Sequence, residues 1–343
     1  MTDYTALIEP ALFRTLPEQG PRAHLYDLLE GFLRRGGKRI RPTICLAACE
    51  AFGGRSVDAL EVAAGLELFH CAFLVHDDIE DESDQRRGEP TMHRRFGVAR
   101  ALNAGDAFSA LGIEQAVRAA AAHPRLAAQI ATEFAHLLRR TVEGQAVELG
   151  WAADAKWGIS DREYLAMVRD KTCWYSVIHP LRLGALIGSA GSFCLDRLIP
   201  LGFLVGAVFQ IHDDLENLLA DPVTYDKDLG GDLVEAKRTL PVLHLMRTGS
   251  TAQVAILRSV LGPNAGLNAQ ERLAAVRPLF AAAGSVEHAR SVAEALAGAA
   301  MAEMDAVFGT LQDNDGAKYL AQVVAGLHAS TRSLDLESQV AWA

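Results

Sequence analysis

Apolar residues recur every three or four positions along DALEVAAGLELFHCAFLVHDDIED, residues 58–81, and that period belongs to a helix. The same spacing returns through most of the chain. Ala, Leu, Glu and Arg dominate, β-branched runs are scarce, and no strand-length alternation of apolar and polar residues is found. Hairpin dipeptides between such runs are missing as well. Breaks fall at Gly36-Gly37, Gly53-Gly54, Gly88-Glu89-Pro90, His123-Pro124, Gly230-Gly231 and Gly262-Pro263. Between them lie stretches of about 15 to 30 residues, which suit long helices. No linker rich in Pro, Gly or Ser divides the chain, and no fixed-period repeat is present. The expectation is one all-α domain over residues 1–343. Its central helices are apolar on most faces and must be surrounded by others.

Half of the 343 residues are apolar and 22% are charged, which excludes a disordered chain. The net charge of −10 argues against nucleic acid or an anionic membrane surface as the main partner, while leaving room for a local basic pocket. Five cysteines without a Cys-x-x-Cys pair indicate neither a disulfide framework nor a zinc site. The opening MTDYTALIEP has no basic-then-apolar leader pattern. The most apolar stretch, Leu198 to Ile211, is 14 residues long, short of the roughly 20 that span a bilayer. A reduced, cytoplasmic chain without a membrane span is expected.

Two segments carry the chemistry. LVHDDIEDESDQRRG (74–88) and FQIHDDLENLLAD (209–221) each follow an apolar helical run and contain His-Asp-Asp. Asp77 and Asp81 lie one helical turn apart on one face, with Asp78 about 100° round. Asp213, Asp214 and Asn217 repeat the spacing. Carboxylates this close repel one another. They are also disfavoured at a helix C-terminus. A hard divalent cation relieves both penalties, and oxygen donors that leave some water in place suit Mg²⁺, which typically brings a phosphate with it. For one such cluster alone a solvated acidic helix end is an equally good reading; two clusters weaken it. The His76-Asp77 dipeptide also admits a His-Asp phosphohydrolase, but His70 is poorly placed to share a face with His76.

Compact basic groups accompany the acidic ones. GGKRIRP (36–42) carries Lys38, Arg39 and Arg41, and QRRG (85–88) carries Arg86 and Arg87. Residues 170–172 and 226–241 supply Lys171, Lys227, Lys237 and Arg238. A lone Lys-Arg pair is best read as solvated surface. Four groups flanking two acidic motifs match what a diphosphate needs, with metal on some oxygens and charge-assisted hydrogen bonds on others. No Gly-rich strand-to-helix phosphate loop is present.

GGKRIRP, HDDIEDESDQRRG, Gly144-Gln145, Lys171-Thr172, FQIHDD and GGDLVEAKRTLP stand in the order found in the trans-polyprenyl diphosphate synthases, and the chain resembles their short-chain members, the geranylgeranyl and farnesyl diphosphate synthases. The likeness runs from about residue 30 to about residue 245. It implies an all-α isoprenoid synthase fold around a central cavity, usually as a homodimer. It also implies Mg²⁺ on Asp77, Asp78, Asp81, Asp213 and Asp214, with Asn217 and Glu148 beside them. Arg86, Lys171, Thr172, Gln210 and Lys227 match positions around the allylic diphosphate, with Lys237 in the neighbouring basic motif. Lys38, Arg41, His70 and Arg87 match the pocket for isopentenyl diphosphate. Asn217 stands where many members have a third Asp, and Glu148 where an Asp is common. Asp226 and Ala236 replace glycines before Lys227 and Lys237, and the chain ends LESQVAWA without the basic tail of some members.

The implied reaction is a Mg²⁺-dependent ionisation of the allylic diphosphate, condensation with isopentenyl diphosphate, and loss of a proton. Asp77, Asp78, Asp81, Asp213, Asp214, Lys171 and Lys227 carry it. Phe73, one turn before Asp77, is the expected floor for the growing chain, with Ala72 beside it and Phe69 a further turn up; plain core packing is the rival reading for Phe69 and Phe73. A twenty-carbon product is favoured. A class I terpene cyclase would not need Lys38, Arg41, His70 and Arg87, and a non-catalytic subunit would have lost an acidic motif.

Overall fold

The computed structural model describes residues 2–220, 229–262, 265–309 and 314–332, and these are helical almost throughout. The apolar run of the first motif forms helix Leu60–Glu80, buried on most of its faces and packed along Val98–Ala122. The second forms Ile199–Leu219, packed against Arg169–Ile178 and Ser285–Phe308. Both helices are long and apolar enough to cross a membrane, yet 67% and 61% of the two stretches lies inside the fold. Each also ends in acidic residues that line a cavity. They are core helices.

The all-α expectation holds, with one short ribbon among the described residues. Gln85–Arg86 and Glu89–Pro90 pair as a two-residue antiparallel ribbon. Its turn is Arg87-Gly88, both with positive φ (55° and 70°), the backbone of the tightest hairpin turns. The ribbon turns Arg86 and Arg87 towards the cavity immediately after the first acidic motif.

Arg169–Ile178 is wound as a π-helix with the wider i→i+5 turn, a rare form that recurs at functional sites. Helix Ala127–Ala153 crosses it at Gly144. A Cβ on Gly144 would meet the Lys171 backbone nitrogen at 2.1 Å, so only glycine permits the approach.

Candidate active site

The two acidic helices, the π-helical segment and the loop before Ile40–Ala51 surround a cavity of about 1030 Å³. Asp77 and Asp81 face it from one side and Asp213, Asp214 and Asn217 from the other. Lys38, Arg41, His70, Arg86, Arg87, Lys171, Thr172, Gln210, Glu148 and Lys237 line it too, so the fold brings most of the motif residues into one space. Lys227 and the terminal LESQVAWA lie outside the described residues.

Three expected positions stand elsewhere. Asp78 is 1% exposed and does not line the cavity; its Oδ1 accepts from Arg86 at 2.6 Å. Ala72 and Phe69 are also off the wall, so the part of the floor assigned to them is corrected. Ala72 lies about 140° round the helix from Asp77 and is buried in the core. Phe69 packs on the Phe134 ring at 5.7 Å and against Gly112. Phe73 alone of the three lines the cavity, edge-on to Tyr175 with ring centroids 5.2 Å apart.

The acidic wall is larger than its motifs. Glu80, Asp232 and Glu235 join it. Lys237 stands among these groups, 2.8 Å from Asp81, 2.5 Å from Glu235 and 3.7 Å from Asp232. Lys171 pairs with Glu148 and reaches Asp77 at 3.5 Å. Gln145 donates to Asp77 at 3.2 Å and to Glu80 at 2.6 Å. Asp214 is fully engaged by Tyr164 (2.6 Å) and Gln210 (2.8 Å), and Gln210 accepts from Thr172 at 2.8 Å. The Asn217 amide oxygen accepts the Asp232 backbone N–H at 3.2 Å, so the residue at the third motif position ties the two acidic segments together. The spacing of Asp232, Glu235 and Lys237 in GGDLVEAK is the pattern that would have located this extension.

Burial, aided by neighbouring carboxylates and opposed by Lys237, pushes Asp81, Asp232 and Glu235 above the ordinary carboxylate range. Burial likewise lifts Asp78 to about 6 despite Arg86. Asp77 goes the other way: burial opposes it, but Lys171, Lys237 and Arg86 hold it below the usual value. The wall thus carries more buried negative charge than its lysines balance.

The carboxylate and amide donors on this wall are hard oxygens, which suit Mg²⁺. No three His, Cys, Asp or Glu side chains among the described residues converge enough to chelate an ion alone. Two lysines fill the gaps instead. That arrangement fits ions shared with a phosphate rather than caged by protein, as Mg²⁺ is held through one or two carboxylates plus substrate oxygens.

The opposite wall is short of acid. Among the described residues no carboxylate pairs with Lys38, Arg41 or Arg87. Arg87 donates to the Gly36 carbonyl, and Arg41 bonds only neutral hydroxyls while its Nε is buried without a partner. His70 is buried between these cations with Nδ1 unpartnered, and burial followed by Arg41 and Arg87 drives it well below its ordinary value, so it is neutral. Arg39, from the same motif, has a different use: it is 3% exposed and bound to Glu9 (2.6 Å) and Glu67 (2.8 Å).

A family model described as polyprenyl synthetase matches residues 22–277. The chain belongs to that family. It is a prenyltransferase. It is similar to the short chain isoprenyl diphosphate synthase of Methanothermobacter thermautotrophicus, 32% identical over 265 residues, 77% of this chain and 78% of that one. The crystal structure of geranylgeranyl pyrophosphate synthetase from Pyrococcus horikoshii superposes with a TM-score of 0.82 at 28% identity, covering 94% of this chain and 95% of that chain. That of geranylgeranyl pyrophosphate synthase from Corynebacterium glutamicum, complexed with isoprenyl diphosphate and magnesium, gives 0.80 at 26% identity, covering 97% and 99%. The fold is that of an isoprenoid synthase.

Proposed function

We propose that the chain condenses isopentenyl diphosphate head-to-tail with an allylic diphosphate, with Mg²⁺, to give geranylgeranyl diphosphate. The observation that carries this reading is the polarity of one cavity: an acidic wall with surplus charge faces a basic wall whose one carboxylate, Glu67, is taken up by Arg39. Asp77, Asp81 and Asp213 would hold the metals, with Asp78 positioning Arg86 behind them and Asp214 and Asn217 fixing the second motif. Mg²⁺ bound there would supply electrostatic stabilisation of the charge that develops on the diphosphate leaving group. Lys171 and Arg86 would donate to the departing oxygens. Lys38, Arg41, Arg87 and neutral His70 bind the second diphosphate and aim its double bond at the allylic carbon. A proton then leaves to the released diphosphate, so no strong protein base is needed. A terpene cyclase has one diphosphate and no use for the basic wall.

Phe73 limits the chain at twenty carbons in this reading. Residues 1–343 act as one helical domain, in the cytoplasm, as a homodimer. The dimer is supported by Val98, Leu102, Ile113 and Val117, all exposed and within about a 100° arc of helix Val98–Ala122. Light scattering should give twice the chain mass.

The decisive assay incubates the purified protein with Mg²⁺, isopentenyl diphosphate and each allylic starter, then sizes the dephosphorylated products by mass. Linear alcohols growing in five-carbon steps and ending at twenty carbons are expected. No elongation, or a cyclic hydrocarbon from a starter alone, contradicts the proposal.

A further inference from the structure

Arg41 reaches into the cavity from the first turn of helix Ile40–Ala51, and its flexible side chain must be held if its charge is to meet a substrate. A carboxylate would hold it and also neutralise it. The structure uses neutral groups instead. Nη2 donates to the Tyr175 hydroxyl at 2.9 Å and to the Ser176 hydroxyl at 2.8 Å. The guanidinium carbon lies 4.5 Å from the Tyr175 ring centroid, a cation–π distance. Two consecutive residues serve one nitrogen, and both sit on the wide turn of Arg169–Ile178.

The same ring has a second contact. Phe73 meets Tyr175 edge-on at 5.2 Å and an interplanar angle of 79°. His70 flanks it at 6.0 Å. Tyr175 therefore stands where the basic wall ends and the apolar wall begins. Its hydroxyl faces the first and its ring supports the second.

We propose that Tyr175 is a positioning residue: its hydroxyl holds Arg41 ready for the second diphosphate, and its ring backs Phe73 where the growing chain stops. This rests on the prenyl-transfer reading above. The two roles separate by substitution. Tyr175→Phe keeps the ring and removes the acceptor. Ser176→Ala removes the other acceptor and leaves the ring alone. Tyr175→Leu removes both acceptor and ring.

The experiment measures KM for each substrate, kcat and product length for wild type and the three variants. Loss of one hydrogen bond to a charged group should raise the KM for isopentenyl diphosphate about tenfold in Tyr175→Phe, and by a similar factor in Ser176→Ala, while the KM for the allylic diphosphate stays within about twofold. Product length should be unchanged in those two variants and longer by at least one five-carbon unit in Tyr175→Leu. A purely structural role would move both KM values together, or neither, and either result overturns the proposal. Unchanged product length in soluble Tyr175→Leu overturns the role of the ring. If Tyr175→Leu is insoluble, Phe73→Leu takes its place and must lengthen the product. Wild-type protein that elongates no starter would instead overturn the prenyl-transfer reading itself.

Discussion

Two buried ionic clusters in this protein behave in opposite ways. Glu133 receives Arg182 through both carboxylate oxygens, at 2.6 and 2.8 Å, and His179 at 2.7 Å. Burial works against its charge, but these hydrogen bonds bring it down to about 2. Asp81, Asp232 and Glu235 share the single ammonium of Lys237, and burial with mutual repulsion drives them up. The first cluster is matched and closes on itself. The second is short of positive charge. Matched buried charge locks helices together; unmatched buried charge is strain held for a ligand. Arg41, with its Nε buried and unpartnered, is the counterpart with the sign reversed.

The largest expected effect is on turnover. Asp77→Ala and Asp213→Ala should each lower kcat by about 10²–10³, the loss seen when one electrostatic group is removed from a reacting centre. Asp77→Ala should also lose some melting temperature, because Lys171, Lys237 and Arg86 hold that carboxylate charged. Near-normal turnover in both variants would break the comparison on its catalytic side. Glu133→Gln should do the reverse. It leaves Arg182 with Asp196 as its one charged partner and costs about 2 kcal/mol of stability, while turnover per folded molecule stays near wild type. Thermal melts paired with kcat separate the two.

The pH dependence sharpens the contrast. Glu133 has a depressed folded value, so its contribution is present above the unfolded carboxylate range near 4.3 and is lost as pH falls towards 2. Asp81, Asp232 and Glu235 have raised folded values. Their contribution is present below about 4 and is lost as pH rises through their folded range. Buried neutral histidines such as His70 and His212 pull the other way over part of this range, so the carboxylate effect is read as a difference: between pH 5 and pH 8 the melting temperature of metal-free Asp232→Asn should gain on that of wild type. Parallel pH profiles in the two proteins would place the effect elsewhere. The smallest effect on rate is at the cavity floor. Phe73→Ala should lengthen the product by at least five carbons with modest change in kcat, whereas Phe69→Ala should cost about 3–5 kcal/mol of stability and leave product length alone.

The helices and the two acidic motifs were legible because their signals are local. A 3.6-residue apolar period needs only neighbouring residues, and so does the one-turn spacing of Asp77 and Asp81. Lys237 meets Asp81 across 156 positions of sequence, so the enlarged acidic wall emerges only on folding. The ribbon at Arg87-Gly88 is too short to show alternation, and a π-turn has no side-chain period to read. That is why the residue pattern names Arg87 as a pocket residue but not the hairpin that carries it, and does not single out Tyr175. Asp78 and Ala72 belong to the motif and its flank, yet the helix turns both away from the cavity: a motif names residues, and the rotation of each decides what it faces.

The surplus negative wall should accept metal only together with a diphosphate. Melting temperatures with Mg²⁺ alone, inorganic diphosphate alone and both together test it directly, because a ligand that binds only the folded state raises the melting temperature in proportion to its binding. The pair should raise it by several degrees beyond the sum of the separate shifts, and Asp77→Ala should abolish the excess. Simple additivity, or the same excess in Asp77→Ala, would contradict it.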